Sequence, residues 1–474
     1  MTLIRNPKRP AKMLALCAAV FMMAAPAMAQ DAKPTQMEVT VYSGNLAMIR
    51  ESRDITLAKG RNEIPLTGVS PSMQPSSASV DVTATQPVSL VDQVFAFDLL
   101  TPETLLRHSV GDTVRVIRTN PATGAETTED AKVLSARNGI VLQIGDRIET
   151  GVPGRIVFEK LPPSLRAEPT LIAAFQVNAE TKGTLDLRYL TSGISWQADY
   201  VAQLHESGAQ LSLQAVATIT NNSGAAYEDA ALRLVAGTVN QPAGDVRPVM
   251  QAVEAKRGLA AAAPVAPQPV GDMHLYAIPE KVTLGDNETR QIVLFEAAHV
   301  PVTKEYRIVG NGAYHVQRFP TPLTVNAERL LKFKDNEKSE LGVPMPAGIV
   351  RVYGATETVS DTFLGADRIN HTARGEEVTL TLGTAFDITA ERRQTEYKTQ
   401  GLPKNTFETS HEIKIRNATT RPVTVKVIER LPGDWEILET SNQYKKISAD
   451  QAEWLIAIPG GEQKTLTYTA RVKR

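Results

Sequence analysis

Three groups of residues in this chain have side chains and spacing that could do chemistry: a serine flanked by glycine, a run rich in acids and amides with one histidine, and tryptophans able to stack on sugar rings. The serine is Ser195, in "YLTSGISWQADYVAQL" (Tyr189 to Leu204), with Gly193 before it and Asp199 after it. A nucleophile on a strained strand-to-helix turn calls for Gly-x-Ser-x-Gly, and here Gln197 stands where the second glycine belongs. Read with a period of two, Ile194, Trp196, Ala198, Tyr200 and Ala202 share one face, and Ser195, Gln197, Asp199 and Gln203 share the other. The first set predicts a buried face anchored by Trp196 and the second a hydrated one. Ser195 therefore lies inside a strand, where no elbow can form.

The polar run is "SDTFLGADRINHTARGEE", with Asp361, Asp367, Asn370, His371, Glu376 and Glu377. These are oxygen and imidazole donors of the kind metals use, but the run lacks the alternating carboxylates around a glycine that a calcium loop requires. It reads as a solvated loop, with metal binding left open. There is no His-Glu-x-x-His, and the seven histidines are scattered, so zinc hydrolysis has no support. A carboxylate pair for glycoside hydrolysis need only meet in space, and among 52 acids some pair always invites that reading. An envelope glycan hydrolase is accordingly the alternative function. Trp435 alternates with Ile437, and Trp454 with Ile456 and Ile458, which predicts core positions for both indoles. The triplets "NNS", "NET" and "NAT" fit polar turns. No catalytic, cofactor-binding or metal-binding residue is assigned, and no cofactor is implied.

The elements around these residues begin with a leader. Arg5, Lys8, Arg9 and Lys12 precede the apolar run Met13 to Ala25, and Ala27-Met28-Ala29 follows, the pattern of a secretory signal over residues 1–29 with cleavage near Ala29. The expected location is periplasmic or secreted. The apolar run is shorter than the roughly 20 residues that span a bilayer, and no later stretch reaches that length, so no transmembrane segment is expected in the mature chain. "LALC" loosely resembles a lipoprotein box around Cys17, but Leu16 occupies the position that wants a small residue. Loss of the leader removes the only cysteine, so the folded chain is expected to rely on buried apolar surface without disulfides. Lysine and arginine number 51 and acids 52, interspersed and without a basic tract, which argues against nucleic acid as a partner. An unknown envelope protein or polysaccharide is the expected partner.

From Met37 onward, alternation dominates and turns punctuate it. The expected fold class is all-β: tandem immunoglobulin-like β-sandwich modules preceded by a small N-terminal sheet and a small β-barrel. The expected divisions are an N-terminal β domain over 30–97, the barrel over 98–165, a sandwich over 166–300, a second over 301–392 and a third over 393–474. Thr101 and Pro102 start one short helix, which Gly111 ends. Asn138-Gly139 and Asn311-Gly312 predict hairpins. The Ala/Pro-rich insertion 240–271 is expected to be a mobile tether, with a docking strap for a partner as the functional alternative. "ATITNNSGAAYEDAAL" and "IKIRNATTRPVTVKV" share the order strand, Asn, small polar residues, strand, and hint at repeated modules.

"YLTSGISWQADYVAQL", "NNSGAAYEDAALRLVAG", "ELGVPMPAGIVRVYG" and "FLGADRINHT", in that order, resemble bacterial envelope proteins related to mucoidy inhibitor A, of the domain of unknown function 4139 family. The resemblance runs from about Thr170 to the C-terminus, and "VTVYSGNLAMIRESRDITLAKGRNEIPLTGVSPSM" is similar to the family's N-terminal domain. Longer relatives carry a central coiled coil, whereas short strands without heptads occupy that place here. The resemblance implies an exported all-β protein, a loose association with exopolysaccharide regulation and no catalytic residues. Together these features point to a non-enzymatic binding or scaffolding element in cell-envelope or exopolysaccharide biology.

Overall fold

A computed structural model describes residues 33–137, 139–151, 154–240, 267–334, 341–354, 362–401 and 405–474. The leader with Cys17, Asn138 of one expected hairpin, Asp361 and residues 241–266 of the insertion lie outside the described residues. The chain is all-β, with sandwich modules and, among the described residues, one short α-helix. It divides into two compact units.

The smaller unit comprises Arg53–Thr67 and Val80–Leu185. Its three-stranded sheet has the order Gly60–Thr67, Thr170–Val177, Val88–Ala96. A second sheet has the order Arg155–Val157, Thr113–Thr119, Glu126–Ser135, Val141–Ile144, Arg147–Thr150. It buries Val114, Val116, Ala131, Val133, Leu142 and Ile144, the alternate positions of its strands. The expected small barrel does not close, because its outer strands remain edges of an open sheet. Those strands have three and four residues, too few to curl round and pair. The expected helix forms over Pro102–His108, where Thr101 Oγ1 accepts from Thr104 N at 3.1 Å and Thr104 Oγ1 accepts from Thr101 N at 2.9 Å.

The larger unit comprises Pro34–Ser52, Gly68–Ser79 and Asp186–Arg474. In its first module Tyr227–Ala236 pairs in parallel with Gln36–Tyr42 and antiparallel with Met273–Ala277. The facing sheet runs Thr362–Ile369, Gly348–Gly354, Ile194–Leu204, Gln210–Asn221, Glu288–Val309. Trp196 joins the two layers: its indole donates to Val235 O at 3.1 Å and its ring lies 6.2 Å from that of Tyr276. The sheet continues through Leu323–Lys334, Glu377–Gln400, Thr406–Asn417, Gln463–Lys473 and Asp434–Thr440 into a second module. There it packs against Val423–Arg430 and Gln451–Ile458 around Val425, Val427, Ile413, Ile415, Leu466 and the fully buried Trp454. Trp435 is half-buried at the edge of that core.

Two local expectations change. Asn311-Gly312 makes no hairpin: Asn311 Oδ1 accepts from Ala313 N at 3.0 Å and caps a 3-10 turn, Gly312–His315, which delivers His315 into the interior. An Asn-Gly pair serves a helical cap as readily as a β-turn, and here the cap prevails. The end of the expected tether, Gln268–Val270, is a strand paired with Met273–Ala277.

Candidate functional site

Two polar constellations stand out, one open and one sealed. The open one is a cleft of about 470 Å³ in the first module. Alternation along Ile194–Leu204 buries Ile194, Trp196, Ala198, Tyr200 and Ala202 and turns Ser195 and Gln197 the other way. Across the sheet Ser195 is opposite Thr220 and Gln197 opposite Thr218, which extends the polar surface. Asp199 departs from the expected hydrated face. It is only 6 % exposed, held by Arg351 Nη1 at 2.9 Å and Thr218 Oγ1 at 2.7 Å.

The far wall is built from the core outward. Tyr200 donates from its hydroxyl to Pro346 O at 2.7 Å and Tyr276 to Pro344 O at 3.0 Å, so two buried phenols fix the loop that precedes Gly348–Gly354. Gly348 is required at the strand's start, since a Cβ there would lie 2.1 Å from Ala198 O. Met345 and Thr372 exchange two 2.9 Å backbone bonds, and Ala347 N donates to His371 Nδ1 at 3.1 Å. That bond occupies the Nδ1 lone pair and puts the neutral ring's proton on Nε2, making His371 a donor toward whatever it meets. His371, Arg368, Ser195, Gln197 and an edge of Trp196 all line the cleft.

The polar run of the sequence is thus dispersed. Asp367 accepts from Thr381 N at 2.7 Å and Arg368 N at 2.8 Å, Glu376 from Ala373 N at 3.1 Å, and Glu377 lies 3.6 Å from Lys332. Asn370 O accepts from Thr372 Oγ1 at 3.0 Å. Among the described residues no group of three or more His, Cys, Asp or Glu could hold a metal ion. Ser195 and His371 share the cleft, but among the described residues no hydrogen bond joins them, no carboxylate orients the imidazole, and no Asp or Glu lines the wall. Asp199 is committed to Arg351 and cannot act as the orienting acid.

The sealed constellation lies in the second module. Glu429 is fully buried and paired by both of its oxygens with Arg392, the Nη1 contact measuring 3.0 Å. His315 Nε2 approaches the same carboxylate at 3.5 Å, and Thr409 Oγ1 lies 3.4 Å from His315 Nδ1 and 3.2 Å from His411 Nε2. Burial alone would raise Glu429, but Arg392 and His315 outweigh it and hold the carboxyl at about 2. Burial, then the neighbouring His315, pushes His411 down to about 3. Burial drives the Tyr468 hydroxyl well above its ordinary value. Gly310 makes room for the pair, as a Cβ would sit 2.1 Å from Glu429 Oε2. Beside the pair is an apolar cavity of about 260 Å³, walled by Tyr314, Phe319, Leu323 and His411.

None of these charged core residues was singled out from the sequence. The signal was nonetheless present: Arg392 follows Ile388 and Ala390, Glu429 follows Val425 and Val427, and His411 precedes Ile413 and Ile415, each in the apolar phase of its strand. Arg368 carried no such mark.

The family defined by the domain of unknown function (DUF4139) matches residues 185–474, more than half of the chain and both constellations. The chain belongs to this family. No curated protein matches it. DUF4139 thus begins within Thr181–Thr191, just before the strand that carries Ser195 and Trp196. No helix among the described residues is long and apolar enough to cross a membrane.

Proposed function

We propose that this DUF4139 protein is a non-enzymatic binding element of the bacterial envelope, linked as in mucoidy inhibitor A relatives to exopolysaccharide biology, and that the open cleft is its binding face. The observation that carries this role is the composition of the cleft wall: hydroxyls, an amide, an imidazole N–H and a guanidinium, with no carboxylate among the described residues. Glycoside hydrolysis needs two carboxyl groups across the scissile bond, one of them to protonate the leaving oxygen. A wall of neutral and cationic donors can hold a polyhydroxylated chain but has no group for that step. The exported location expected from the leader fits such a ligand.

The test is retention of envelope polysaccharide on the immobilised full-length protein. Wild type should retain it, and Ala347→Trp, which fills the cleft, should lose at least about tenfold in affinity, the equivalent of one good polar contact. Equal retention by an A347W protein of unchanged melting temperature, or release of new reducing ends by wild type, overturns the proposal.

A further inference from the structure

We infer that the cleft is specific for anionic saccharides, with Arg368 as the group that reads the charge; this rests on the binding role proposed above. Neighbouring cations of this sheet are already committed. In the same sheet Arg351 is bound to Asp199 at 2.9 Å and Arg307 to Glu328 at 2.8 Å. Arg368 differs, since its guanidinium has no side-chain partner among the described residues. Its sequence neighbour Asp367 cannot neutralise it across the strand, because that carboxylate is turned to Thr381 N at 2.7 Å and caps the backbone N–H of Arg368 itself at 2.8 Å. Strand pairing puts Arg368 opposite Ile349, and Ile349 opposite Asp199, in the sheet that carries Ser195 and Gln197.

The other groups of the wall agree in sign. His371 presents Nε2–H because its Nδ1 is taken by Ala347 N. Ser195 Oγ has no hydrogen-bond partner among the described residues and can donate. Among the described residues no carboxylate lines the cleft to repel an anion or compete for the guanidinium. The guanidinium supplies a planar fork that matches a carboxylate or sulfate ester, and the hydroxyls and the Gln197 amide suit sugar hydroxyls. A neutral glycan would meet the hydroxyls and leave the fork unused. The cleft volume of about 470 Å³ suits two or so sugar rings of a longer chain.

Isothermal titration of the full chain with a galacturonic-acid hexamer, a sulfated glucan oligomer of equal length and neutral maltohexaose tests the inference. Both acidic oligomers should bind at least about tenfold more tightly than maltohexaose, and Arg368→Gln should remove that preference. The acidic ligands should also lose affinity as salt rises, and R368Q should lose part of that dependence. The relative strength of the two acidic arms separates carboxylate from sulfate as the preferred anion. Arg368 is exposed, so R368Q is expected to keep the wild-type melting temperature. Equal binding of maltohexaose and the acidic oligomers, or an R368Q protein that keeps the acidic preference, overturns the charge reading and leaves the binding role standing. Failure of all three glycans at millimolar concentration overturns both.

Discussion

The two modules of the larger unit use the same clamp and spend their polar residues in opposite ways. In the first, Asn221 donates to Ala225 O at 2.8 Å and Gly285 O at 2.9 Å and accepts from Ser223 N at 3.1 Å and Oγ at 2.7 Å. In the second, Asn417 donates to Arg421 O at 2.8 Å and Pro459 O at 3.1 Å and accepts from Thr419 N at 3.0 Å and Oγ1 at 2.7 Å. One Asn-x-Ser/Thr turn ties the strand's end to the Gly-acidic turn of the module in both places. Beyond the clamp, the first module leaves unpaired donors at an open cleft, where water can satisfy them at little cost. The second encloses an arginine, a glutamate and two histidines, where contacts with one another and with Thr409 and Tyr468 must stand in for water. A shared frame can therefore carry a ligand-facing surface in one copy and an internal ionic knot in the other.

The sharpest way to break this contrast is to unpair the knot. Glu429→Gln leaves Arg392 buried without its counter-charge and should destabilise the protein by about 3–5 kcal/mol, read as a large fall in melting temperature. Combining Arg392→Met with Glu429→Leu removes both charges and should recover most of that loss. A double variant as unstable as E429Q would mean that the pair is needed for packing and not for charge balance.

A second measurement sharpens the difference through pH. The folded pKa of His411, near 3, lies below its unfolded value of 6.5, so the unfolded chain binds a proton that the folded chain refuses. Stability from this group is complete above about 6.5 and falls as pH drops toward about 3, by on the order of a few kcal/mol. Burial sets most of this balance, with His315 and Arg392 also opposing protonation and Glu429 favouring it, while Tyr468 and Thr409 pack against the ring. Glu429 adds in the same direction in a lower window, its contribution present above about 4.5 and lost as pH falls through about 2. His411→Phe should flatten the fall in melting temperature between pH 7 and about 4 relative to wild type. An unchanged slope would assign the acid sensitivity elsewhere.

Much of this architecture can be read from residue order, and the rest depends on contacts that order does not reveal. Alternation gave the inward face of Ile194–Leu204, the core place of Trp454 and the reversals at Asn221 and Asn417, because strand periodicity is local. The burial of Asp199 could not be read, since its partner Arg351 is 152 residues away and the pairing exists only once the parallel strands meet. Closure of the barrel failed on strand length, and the hairpin at Asn311-Gly312 failed because the same dipeptide caps a 3-10 turn. The cleft escaped notice for the same reason as Asp199: Ser195 and His371 become neighbours of one void only through the sheet. Arg392 and Glu429 stand as charges in the apolar phase of their strands, the pattern that marks a buried pair.

The smallest expected effect tests whether the two clamps are equivalent. Asn221→Ala and Asn417→Ala each remove an amide that donates to backbone carbonyls and accepts from a backbone N–H, leaving those groups without partners in buried turns. Each should cost about 1–3 kcal/mol, and the two should be close to equal because their bond sets match in partner and length. Their combination should be additive, since the sites share no partner. A marked inequality would show that the clamp's strength comes from its surroundings: the hydroxyl of Tyr227 supports the Asn221 turn through Ser223 Oγ at 3.0 Å, whereas Thr419 Oγ1, whose one proton goes to Asn417 Oδ1 at 2.7 Å, has no tyrosine hydroxyl bonded to it among the described residues. Tyr227→Phe then separates the cases, weakening the first clamp alone if that hydroxyl is what makes it stronger.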